Sequence, residues 1–208
     1  MGFDGRLGAG KTAGMSILAQ HYRQKTGCTL YSNYGLKHSK LITSFDMFLD
    51  VAQQPSSIIC LDEAHTDLDS RSGNTNVAKY LTHMIFYLRK LRATLMFTSP
   101  NIGNIDARVR AIMDVYCSVS KDKQYFHYDM FDLNSERFLK SMRIKKEKAL
   151  GIMDQVYDTH KMVVPMSFPD TKDEYNRILN LLKTISDDYY TKQAADAPGP
   201  TATEAAAV

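Results

Sequence analysis

Eight residues near the start of the chain, Gly5-Arg6-Leu7-Gly8-Ala9-Gly10-Lys11-Thr12, fit the pattern G-x-x-x-x-G-K-[ST] and lead straight into an apolar-periodic segment. A loop of this kind turns its backbone N–H groups inward around a polyphosphate, and its glycines allow both the close approach and the unusual dihedrals. The expected nucleotide contacts are Gly5, Gly8, Ala9, Gly10, Lys11, Thr12 and Ala13, with ATP as the cofactor. Lys11 would reach the β and γ phosphates, Thr12 would bind Mg²⁺, and the helix N-terminus adds a favourable dipole. The competing reading is a glycine-rich turn without a nucleotide. Only four residues precede Gly5, so either the first strand is very short or the true N-terminus lies upstream of Met1.

The second cluster is Asp62-Glu63-Ala64-His65, which follows the apolar run Ser57–Leu61. Ligands in open α/β sheets bind at strand C-termini, so Asp62 is expected in the Mg²⁺ shell beside Thr12. Glu63 is placed to orient and deprotonate an attacking water. A solvated acidic turn is the bland alternative, and it loses ground because a phosphate loop lies upstream. Transfer of phosphate to a small molecule needs no water-activating carboxylate there, whereas hydrolysis does. His65 caps or packs beside the site, with a direct catalytic role as the alternative.

These residues require elements to hold them. Helical spacing covers residues 13–24, stopping near Gly27, and residues 44–52, 75–92 and 106–113. Strand signals cover residues 28–31, 57–61, 94–97, 115–119 and 124–131. Strands alternating with helices imply a mostly parallel sheet with helices on both faces. The strand at 94–97 is expected to lie between the first strand and the one ending at Asp62. That is the order of the additional-strand, catalytic-glutamate class of P-loop NTPases, whose inserted strand ends in a polar sensor, here Thr98 and Ser99, with Ser99 at the sensor position. Residues 136–156 and 173–190 read as helical. The expected division is an ATPase core over 1–131, a helical appendage over 132–190 and a disordered tail over 191–208.

The length of 208 residues allows one domain with appendages, and excludes the two recombinase-like domains that Asp-Glu-Ala-His otherwise suggests. No apolar run approaches the ~18 residues of a membrane span, so a soluble chain is expected. Cys28, Cys60 and Cys117 are odd in number, far apart and set in apolar segments, and so read as buried hydrophobes in a reducing compartment. The net charge of +3 hides its distribution: residues 137–148 alone carry Arg137, Lys140, Arg143, Lys145, Lys146 and Lys148 against Glu147. At helical spacing these bases mark no single face, so a solvated segment competes with a binding role.

With these motifs in place the chain resembles the FtsK/HerA superfamily of DNA-pumping ATPases, and within it the zonular occludens toxin-like domain of phage assembly proteins. The resemblance covers residues 2–120. It rests on Gly5 to Thr12, Tyr31-Ser32-Asn33, Leu61 to His65, Asp69-Ser70-Arg71, Arg89-Lys90 and Ile105-Asp106-Ala107-Arg108-Val109-Arg110. It implies a ring, usually a hexamer, with ATP at subunit interfaces and DNA in the pore. It also implies an arginine given in trans to the γ-phosphate: Arg110 first, Arg108 second, with Arg89 and Arg71 as alternatives. Family members often carry Gln where this chain has Ser99. The toxin-like proteins are longer and cross a membrane, which shifts the expectation towards genome packaging in icosahedral viruses.

DNA contacts are expected to be nonspecific and phosphate-directed, through Arg71 in the 66–76 loop, the 100–104 loop, and Lys140, Arg143, Lys145 and Lys146. The basic segment could instead bind a capsid-vertex or membrane protein of a virus. The expected location is the host cytoplasm or the virion vertex. A filamentous-phage-type export ATPase, a small-molecule kinase with the basic segment as its lid, and an ATP-gated scaffold are the alternatives.

Overall fold

The computed structural model describes residues 1–64 and 75–196. The strands are β1 (Gly2–Asp4), β2 (Thr29–Ser32), β3 (Ser39–Leu41), β4 (Ser57–Leu61), β5 (Ala93–Ser99), β6 (Val115–Lys121), β7 (Tyr125–Asp132) and β8 (Arg137–Lys145). The helices are α1 (Lys11–Thr26), α2 (Phe48–Gln53), α3 (Thr75–Tyr87), α4 (Ala107–Ala111), α5 (Lys146–Val156) and α6 (Lys172–Asp196). All eight strands form one sheet in the order β3-β2-β4-β5-β1-β6-β7-β8. The six from β3 to β6 are parallel, and β7 and β8 add an antiparallel meander. As expected for the additional-strand class, β5 lies between β1 and β4.

The central strand β4 is buried on both faces, which is why it reads as a near-continuous apolar run. Alternate residues serve two cores. Tyr31, Ile59, Leu61 and Phe97 face α2, α3 and α6, whereas Leu30, Ile58, Cys60 and Met96 face α1 and α5. The three cysteines are free and buried in the second core, and burial raises the thiol pKa of Cys60 and Cys117.

Helix α1 starts at Lys11, with Gly10 at its N-cap in a left-handed conformation (φ 100°), and ends at Gly27, whose N–H donates to the Arg23 carbonyl. This is the αL stop that glycine permits. Residues 44–52, read as one helix, divide into a 3₁₀ turn (Phe45–Met47) and α2.

The helical reading of residues 136–156 is corrected over its first half. Residues 137–145 form β8, paired with β7 through Phe126↔Ile144, Tyr128↔Met142 and Met130↔Lys140. Met142 and Ile144 pack against the core beside α1 and α5. Alternation at period two governs this segment, and the turn before it is set by Asp132, whose carboxylate accepts from the N–H groups of Asn134 and Ser135. The expected core boundary at 131 therefore falls inside the sheet. Helix α6 likewise buries Tyr175, Ile178 and Leu182 in the core with Phe45 and Tyr80, and continues to Asp196, past the expected start of the tail.

Candidate functional site

The phosphate loop joins β1 to α1 at the C-terminal edge of the parallel strands. Gly10 has two reasons to lack a side chain. Its φ is left-handed, and a β-carbon there would lie 2.7 Å from the Phe126 ring. Gly14, one turn into α1, meets Tyr128 even more closely, with a β-carbon placed 2.1 Å from that ring. The Tyr128 hydroxyl donates to the Gly10 carbonyl at 3.0 Å. Strand β7 therefore buttresses the loop from below, and its Phe126 and Tyr128 fix the glycines opposite them.

Within the loop, the Lys11 ammonium donates to the carbonyls of Gly5 (2.7 Å) and Arg6 (3.2 Å). Partial burial pulls its pKa below the ordinary lysine value, opposed by the carboxylates of Asp62, Asp4 and Glu63. A side chain at Gly8 would sit 3.3 Å from the Lys121 ammonium, so a second cation borders the loop.

Asp62 follows β4 directly and is the hub of the site. Thr12 Oγ1 donates to its carboxylate, 2.9 Å from Oδ1 and 3.1 Å from Oδ2, and Thr98 Oγ1 donates to Oδ1 at 2.6 Å. The Asn33 side chain clamps the Asp62 backbone from β2: its Oδ1 accepts from the Asp62 N–H (2.8 Å) and its Nδ2 donates to the Asp62 carbonyl (3.1 Å). Glu63 sits in the left-handed region with φ 51°, a conformation costing a residue with a β-carbon about 1–3 kcal/mol and found preferentially at functional sites. Its N–H donates to Thr98 Oγ1 at 3.0 Å, and the next N–H, of Ala64, donates to the Thr98 carbonyl. One threonine thus fixes both members of the acidic pair.

A hydroxyl and a carboxylate in contact form the hard-oxygen set that Mg²⁺ takes, together with nucleotide phosphates and water. Among the described residues no cluster of three or more His, Cys, Asp or Glu could hold a metal by itself, so the fit is to an ion shared with phosphate.

The sensor expectation needs correction. Ser99 is fully buried, and its hydroxyl donates to the Asn101 carbonyl in the following turn. The residue that touches the acidic pair is Thr98. In β5, alternation points neighbours to opposite faces, so only one of the two can meet Asp62.

Of the two leading arginines, Arg108 is held within its own chain by Asp106, with Nε–Oδ1 at 2.9 Å and Nη2–Oδ2 at 2.7 Å, and this pair keeps the Asp106 carboxyl below its ordinary range. Arg110 is exposed, with no carboxylate at salt-bridge distance among the described residues. Arg89 is exposed near the N-terminal end of β5, the sheet edge opposite the phosphate loop. His65 and Arg71 lie outside the described residues. The basic segment divides along β8: Lys145 and Lys146 reach the loop edge, where Lys146 Nζ donates to the Asp122 carbonyl, while Lys140 and Arg143 line a groove beside α1.

No family model matches the chain. A curated relative, histidinol-phosphate aminotransferase 2 of Burkholderia mallei, is 27% identical over 113 residues, 52% of this chain, and the match spans about a third of that protein (32%). Among solved structures, the N-terminal domain of zonular occludens toxin from Neisseria meningitidis aligns with a TM-score of 0.56 at 14% identity, covering 76% of this chain and 97% of that one. The genome packaging NTPase B204 of Sulfolobus turreted icosahedral virus 2, in complex with sulfate, aligns with a TM-score of 0.50 at 11% identity, covering 67% and 93%. No described helix is long and apolar enough to cross a membrane. Sheet order, phosphate loop and neighbours agree that this chain has the mostly parallel P-loop NTPase fold shared by the zonular occludens toxin domain and the viral packaging NTPase.

Proposed function

We propose that the chain is an ATPase that moves DNA, packaging a viral genome from a ring of identical subunits, usually six in the family it resembles. The observation that carries this reading is the contact of Thr12 and Thr98 with Asp62, with Glu63 held beside it. Lys11 would neutralise the β and γ phosphates, and Thr12 and Asp62 would hold Mg²⁺, which shields charge on the transferring phosphoryl group. Glu63 would orient and deprotonate the attacking water. Arg110, exposed and with no carboxylate at salt-bridge distance among the described residues, is the candidate given to a neighbour's γ-phosphate, with Arg108 second because it would have to leave Asp106. DNA would be held nonspecifically through phosphates, with Arg71, Lys145 and Lys146 as the candidate contacts.

A second reading, an assembly and export ATPase of the filamentous-phage type, is favoured by the alignment with the zonular occludens toxin domain. Measuring ATP turnover with and without double-stranded DNA tests the first reading. DNA should stimulate turnover, Glu63→Gln should lower it by about 10²-fold or more, and Arg110→Ala should abolish it in the ring. Absence of stimulation at every ionic strength, or full turnover by a strict monomer carrying Arg110→Ala, removes the reading.

A further inference from the structure

Strand β8 closes one side of the sheet and pairs only with β7, leaving one row of its backbone N–H and C=O groups without a strand partner among the described residues. At nine residues it is three times the length of β3 at the opposite edge. Such an edge is a template for another strand. Beside it runs a groove of about 1120 Å³, walled by Ile17 and Leu18 of α1, by Leu139 and Met142 of β8, and by the starts of the central strands. Phe138 and Leu139 are 58% and 51% exposed, although they belong to the sheet.

Charge selects what can pair there. The ionisable residues lining the groove include His21, Arg92, Lys140 and Arg143, and no carboxylate. Along β8, Arg137 stands opposite Asp132, whereas Lys140, Arg143 and Lys145 stand opposite Met130, His127 and Tyr125 and so keep an uncompensated charge across the strand pair. Two copies meeting edge to edge would set these cations against each other, which disfavours self-pairing. Duplex DNA would meet the charge but would leave the apolar wall and the free peptide groups unsatisfied.

We propose that β8 and its groove are a docking site for an extended acidic segment of a partner protein, with apolar residues at alternate positions, added to the sheet as a further strand. Backbone pairing supplies binding, the groove takes the apolar residues, and the cations set polarity. The groove opens at the starts of the central strands, the sheet end opposite the phosphate loop, so docking there needs no nucleotide.

The test uses the full chain without ATP and a strand-length peptide of alternating Glu and Val, with its Lys and Val counterpart as control. The Glu-Val peptide should slow amide exchange over residues 137–145 and bind at least about tenfold tighter than the control. Lys140→Glu with Arg143→Glu should reverse that preference, and circular dichroism reports whether this variant is folded. If it is not, the wild-type contrast between the two peptides decides alone. The proposal is overturned if the Glu-Val peptide gives no protection or both peptides protect equally. It is equally overturned if β8 is protected only by short duplex DNA, by phosphatidylglycerol vesicles, or by raising the protein concentration.

Discussion

Thr98 is the residue on which the acidic pair depends, since its hydroxyl donates to Asp62 and accepts from the Glu63 N–H. It is buried, so neither bond is exchanged for water without cost. Thr98→Val keeps the shape and removes both bonds, and should cost about 1–3 kcal/mol of stability. Turnover should fall about tenfold or more as Glu63 leaves its constrained backbone position, with nucleotide affinity retained and with most turnover restored by Thr98→Ser. Wild-type turnover in Thr98→Val, measured under saturating ATP, would remove the positioning role. Sequence reading came within one residue of this: the end of the inserted strand was legible, but the choice between Thr98 and Ser99 depends on which face of β5 each occupies.

Among the elements, the turn between β6 and β7 carries a clear pH dependence. The Asp122 carboxylate accepts from the N–H groups of Tyr125 and Gln124 and pairs with His127, and chiefly the Tyr125 bond, then His127, hold its pKa down to about 2. A carboxyl whose pKa is depressed on folding stabilises the fold above its ordinary value near ~4 and loses that contribution as pH falls towards ~2. The protection factors of the Gln124 and Tyr125 amides should therefore fall between about pH 4 and pH 2, and Asp122→Asn should flatten the dependence. A loss of protection of equal size in that variant would assign it to another group. Strand β4 was legible to the residue because four apolar residues in a row, Ile58 to Leu61, between Ser57 and Asp62 fit a buried strand. Residues 137–145 differ from the helical reading because Lys140, Met142 and Ile144 alternate on one face while the register shift opposite Met130 and Phe131 turns Phe138 to the other, which breaks the period-two pattern among dense bases.

At the scale of the whole molecule, α6 is part of the body. Tyr175 stacks on Tyr80 with ring centroids 4.0 Å apart, and Ile178 and Leu182 are buried with Phe45 and Met84. Arg92 fastens the end of α6, with its guanidinium 3.5 Å from the Tyr189 ring centroid. Ile178→Ala should cost about 2–5 kcal/mol and lower the midpoint of a single transition followed by tyrosine fluorescence and far-ultraviolet circular dichroism alike. Two separated transitions, with helix lost first, would return α6 to the status of an appendage.

The sequence by itself determined the phosphate loop and the acidic strand end, because each is a contiguous stretch whose chemistry lies in its own residues. It also determined the strand inserted between them, because alternating strands and helices admit few sheet orders. Only the tertiary structure decided that Thr98 links the acidic pair, that Asn33 clamps Asp62, and that β7 forces Gly10 and Gly14. Thr12 and Thr98 reach Asp62 across 50 and 36 residues of chain. Contacts at such separations arise from sheet register and side-chain direction, which no local periodicity encodes.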